Sequence, residues 1–105
     1  MDVHQNYIGG RWPPSRSALP VLNPSDGAKM AEIARGGAAE IDAAVAAGHA
    51  AMKGEWGRMD AVTRGRLMLK FADLIRRDAE KLAKMESEDV GKPMTLARND
   101  AAVCA

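Results

Sequence analysis

Cys104 is the sole thiol of this 105-residue sequence and its first candidate nucleophile. A thiol attacks as the thiolate, which needs a neighbouring base, cation or helix N-terminus. Nothing near Cys104 in sequence supplies one, so it reads as an ordinary thiol. One cysteine also excludes an intrachain disulfide framework and a multi-cysteine zinc site. His4 reads as part of a loose N-terminal stretch and His49 as a solvated helix-edge residue. No His, Cys or carboxylate stands four residues from His49, the spacing that sets two ligands on one helical face. Glu86, Glu88 and Asp89 gather carboxylates near a helix end, where the macrodipole disfavours them. They call for a compensating partner or cation, and a solvated acidic cluster is the plain reading. Gly9-Gly10 and Gly36-Gly37 fit neither a dinucleotide fingerprint nor a Walker loop. Arg64, Arg66, Lys70, Arg76 and Arg77 are interrupted by Asp73 and Asp78, as on a solvated helix face. Spacing alone yields no catalytic constellation.

Composition narrows the classes further. The chain is 47% hydrophobic and 28% charged with a formal net charge of +1, which gives no field to recruit nucleic acid or an acidic membrane. The aromatics are only Tyr7, Trp12, Trp56 and Phe71, too few for base-stacking platforms. Charge or glycine breaks every apolar stretch, so no membrane span is expected. The N-terminus, Met1 to Asn6, lacks the basic and apolar regions of a secretion signal, and a cytoplasmic, reduced protein is the expectation. The length is one domain at most, and its many small residues make burial less productive per residue.

The elements that position these residues change character near residue 36. Residues 6–35 read as a three- or four-stranded meander. Tyr7-Ile8 and Arg11-Trp12 flank Gly9-Gly10, a link that closes a tight hairpin because both positions accept positive φ. Pro13-Pro14 stops the pairing, and Asn23-Pro24-Ser25-Asp26-Gly27 has turn chemistry. Residues 38–105 read as helical. Ile41, Ala44, Val45, Gly48, Ala51 and Met52 form one amphipathic stripe, flat enough for close packing. Gly54 and Gly57 bracket Trp56 in a short connector. A second helix over about 60–77, capped by Asp60 or Thr63, carries Leu67, Met68, Phe71, Leu74 and Ile75 as its stripe. A third starts near Asp78 as its N-cap, with Ala79, Leu82, Ala83 and Glu86 along one side, and ends at a left-handed Gly91 before Pro93. Residues 94–105 keep a helical composition and stop without a cap, as a truncated helix would.

Read in order, several segments resemble the N-terminal portion of an NAD(P)-dependent aldehyde dehydrogenase. Tyr7-Ile8-Gly9-Gly10-Arg11-Trp12 resembles the family's opening strand and turn, and Val21-Leu22-Asn23-Pro24-Ser25-Asp26-Gly27 its Asn-Pro turn. Ile41-Asp42-Ala43-Ala44-Val45, Trp56 and Arg64-Gly65-Arg66-Leu67 resemble its first helices. Glu86 through Pro93 resembles its closing Glu-x-x-Asp-x-Gly-Lys-Pro. The resemblance implies an α/β fold: an N-terminal β-meander or hairpin, then three to four α-helices that pack on the outside of a Rossmann-like cofactor domain. Residues 1–105 would be the leading portion of that domain. It also implies oxidation of an aldehyde to a carboxylic acid with NAD or NADP through a cysteine thioester, in a homodimer or homotetramer.

The residues for that chemistry belong to later parts of such a chain, so this segment is expected to be inactive alone. Cys104 does not match the nucleophile's context. One family site does reach this segment, a structural Na⁺ or K⁺ held by backbone carbonyls just before Asn-Pro and by the Asp before Gly-Lys-Pro. The resemblance places it at Val21 or Leu22, and at Asp89. Two other readings stand beside this one: a non-catalytic helical binding or assembly module, and, least favoured, a small thiol enzyme using Cys104.

Overall fold

A computed structural model describes residues 3–105; Met1 and Asp2 of the polar N-terminal stretch lie outside the described residues. Strands β1 (Val3–His4), β2 (Ala18–Leu22) and β3 (Lys29–Ala34) form one sheet in the order β1-β3-β2. They precede α1 (Ala38–Lys53), α2 (Glu55–Arg58), α3 (Ala61–Arg77), α4 (Ala79–Val90) and α5 (Met94–Cys104). The sheet followed by four full helices is the expected α/β arrangement. The described residues divide into two compact units, one of residues 3–21 and 29–59, the other of residues 22–28 and 60–105.

In the first unit, β3 pairs with β1 in parallel, Val3 opposite Glu32 and His4 opposite Ile33. This corrects one expectation, since His4 sits in a strand rather than a loose end. The sheet also takes in a strand that precedes the stretch read as a meander, because a two-residue strand leaves no alternation to read. The Gly9-Gly10 link does reverse the chain: Ile8 and Arg11 exchange backbone hydrogen bonds of 2.9 and 3.1 Å, with both glycines at positive φ. The pairing goes no further than that bridge, since Pro13 and Pro14 have no N–H to extend it. Pro20 is tolerated inside β2 because β2 is an edge strand.

Helix α1 begins at Gly37, whose N–H donates to the Glu40 carboxylate at 2.7 Å, and that bond holds the Glu40 carboxyl below its usual range. The Gly54–Gly57 connector is not irregular. It contains the one-turn helix α2, folded back so closely that a Cβ on Gly57 would lie 1.6 Å from the Met52 carbonyl oxygen.

In the second unit, Asn23 and Asp26 build the turn after Leu22. The Asn23 side chain accepts from Ser25 N–H and the Asp26 side chain from Ala28 N–H, both at 2.9 Å, and Gly27 takes positive φ. Asp60 caps α3, accepting from the Thr63 N–H at 2.7 Å, which lowers its pKa. Asp78 occupies the N-cap position of α4 without capping it. The neighbouring Arg77 guanidinium takes both of its oxygens, at 2.9 and 3.0 Å. Gly91 ends α4 at φ +74°.

The buried hydrophobic residues are Ala34, Ala72, Ala83, Ala97 and Ala101, and no larger side chain among the described residues joins them. The α1 stripe is open: Ile41 is 62%, Val45 54% and Met52 56% exposed. On α3, Leu67, Met68, Phe71 and Leu74 are likewise exposed. No helix of the described residues is long and apolar enough to cross a membrane.

Candidate functional site

The carboxylate cluster at the end of α4 is where sequence expectation and structure meet. Glu86 accepts from the Lys92 ammonium at 2.8 Å, and Lys92 also donates to Asp100 of α5. Those two hydrogen bonds, the Asp100 bond first, push the Lys92 pKa up to about 12. Glu88 pairs with Lys84 one turn back at 3.7 Å. Two of the three crowded carboxylates therefore have lysine partners within the chain. Asp89 is exposed and makes no ion pair among the described residues. The sequence reading missed the role of Lys92 and Asp100. The signal was present as a lysine one residue past the Gly91 cap, but its second partner lies on a different helix.

Of the residues expected to hold a monovalent cation, Val21 belongs to the first unit, whereas Leu22 and Asp89 belong to the second. Val21 is half-buried in β2, and Leu22 ends that strand, exposed. Within the second unit the turn that follows Leu22 approaches the end of α4. A Cβ on Gly91 would come within 3.3 Å of the Pro24 ring. An unpaired carboxylate and strand-end carbonyls are hard oxygen donors, suited to an alkali cation rather than to a soft metal. Among the described residues no group of three or more His, Cys, Asp and Glu side chains could hold a metal ion, and neither His4 nor His49 joins such a cluster.

Cys104 is exposed at the last position of α5. It borders an open apolar groove of about 560 Å³ within the second unit, lined also by Phe71, Leu74, Ile75, Leu82 and Ala97. The groove's carboxylates Asp78, Glu86 and Asp100 are bound to Arg77 and Lys92.

Comparison with known proteins covers almost the whole chain. The model of the aldehyde dehydrogenase family matches residues 12–105. A hydroxyisobutyraldehyde dehydrogenase of Mycolicibacterium austroafricanum is 42% identical over 94 residues, which are 88% of this chain and 18% of that protein. The human mitochondrial aldehyde dehydrogenase is 41% identical over 97 residues, 89% of this chain and 19% of that protein. The crystal structure of an NAD-dependent aldehyde dehydrogenase from Sinorhizobium meliloti superposes with a TM-score of 0.90 at 34% identity, over 98% of this chain and 21% of that one. The chain thus spans about a fifth of the length of the relatives it matches.

Proposed function

Because the chain belongs to the aldehyde dehydrogenase family, we propose that the protein carrying it oxidises an aldehyde to a carboxylic acid. The family match over residues 12–105 carries this reading. In the proposed reaction a cysteine thiolate outside these residues attacks the aldehyde carbon, and hydrogen-bond donors hold the oxyanion that forms. NAD or NADP, when bound, accepts the hydride, in keeping with the NAD dependence named for the Sinorhizobium relative. Water activated by a glutamate base then hydrolyses the thioester.

This segment contributes framework to that enzyme. Its α1 and α3 stripes are apolar and open, as surfaces covered by further protein would be, in a homodimer or homotetramer. The same open stripes also favour a second reading, a non-catalytic assembly module. The intact mass of the natural gene product separates the two. A mass several times 11.2 kDa, together with NAD(P)H formation from added aldehyde, is the expected result. A product of 11.2 kDa without turnover would replace the enzyme by the module.

The cation site is proposed in a narrower form, with the Leu22 carbonyl and the Asp89 carboxylate as this chain's ligands. The cation would tie the Asn23–Gly27 turn to the end of α4. In the complete enzyme, K⁺ or Na⁺ is expected to raise the melting temperature, and Asp89→Ala to abolish that rise. Identical melting curves with and without either cation, in both forms, would remove the site.

A further inference from the structure

Lys92 sits in the link between α4 and α5, with left-handed Gly91 before it and Pro93 at the start of α5 after it. Its ammonium donates to a carboxylate on each arm, Glu86 of α4 and Asp100 of α5. A second ion pair ties the same helices away from the link: Arg98 of α5 grips Glu80 of α4 with bonds of 2.8 and 3.0 Å. Between these charged contacts the buried residues are small, Ala83 on α4 and Ala97 and Ala101 on α5. The buried part of this seam is therefore made by small side chains, and the ion pairs bracket it, the Lys92 one beside the link and the Arg98 one away from it.

We propose that Lys92 is the latch of a hinge at residues 91–93, so that loss of its charge lets α5 open from α4 as a unit. Charge loss acts twice. It removes the bridging donor and leaves Glu86 and Asp100 as two like charges without their shared cation. Opening uncovers Ala83 and widens the apolar groove beside Leu82 and Cys104. Nothing in this inference depends on the proposed chemistry of the enzyme.

Hydrogen exchange of the intact protein, resolved by peptide, tests it in three forms. In Lys92→Met the amides of residues 94–104 are expected to exchange about threefold to tenfold faster, with those of α3 unchanged. Lys92→Arg, which keeps the cation, should follow the wild type. Should Lys92→Met fail to fold, Asp100→Asn removes one arm of the latch and should give the same local pattern at smaller amplitude. Unchanged exchange in α5 would overturn the hinge. Equal acceleration in α3 and α5 would overturn it too, because Lys92 would then serve overall stability alone.

Discussion

Gly57→Ala lowers the unfolding free energy of the intact protein by about 3 kcal/mol or more. The cause is backbone, not side-chain, crowding. After Gly54 ends α1, the single turn of α2 doubles back on the last turn of α1. The added methyl would sit 1.6 Å from the Met52 oxygen and 2.5 Å from its carbonyl carbon. No rotamer relieves that contact, so the turn itself must move and carry Trp56 with it. Gly65→Ala supplies the contrast. Gly65 lies inside α3 with nothing within 4 Å of a Cβ, so there the substitution gains helix propensity of about 0.5–1 kcal/mol. Urea midpoints of the two variants should move in opposite directions. A Gly57→Ala protein with wild-type stability would mean that α2 does not fold back on α1 in this way.

Local chemistry in the sequence was sufficient wherever one residue decides one bond. Gly9-Gly10, the Asn23–Gly27 turn, Asp60 as a cap and Gly91 as a left-handed stop all act within a few residues of themselves, and all are legible. Gly57 was legible only as a connector. Its steric role depends on where the chain returns, which no local pattern encodes. Asp78 shows the opposite limit: it has the right type and position for a cap, but the adjacent Arg77 competes for both oxygens and wins. The α1 periodicity identifies a helix, yet Ile41, Val45 and Met52 face outward in this chain, so periodicity named a face without naming its cover. At the candidate site, Glu86, Glu88 and Asp89 were visible as crowded charge. That Lys92 and Lys84 satisfy two of them follows from the bend at Gly91 and the helical register, and it singles out Asp89.

Ala83→Leu is the second large effect, and it tests what sets the distance between α4 and α5. Ala83 is fully buried, and Ala97 of α5 is 1% exposed. Ala97 and Ala101, four residues apart, share one face of α5, and every side chain buried on α3, α4 and α5 is a methyl group. Leucine at 83 has no space to enter. It must either take a strained rotamer or drive the helices apart, at a cost of about 1–3 kcal/mol. Separation would also stretch the Lys92 and Arg98 contacts, whose geometry is matched to the close approach. Ala83→Gly should be destabilising as well, by about 1 kcal/mol from helix propensity, with a further loss from the missing methyl. A stability maximum at alanine, falling in both directions, is the signature of a contact set by side-chain size. If leucine were tolerated at wild-type stability, the spacing would instead be set by the ion pairs, and the hinge at residues 91–93 would be the stiffer element.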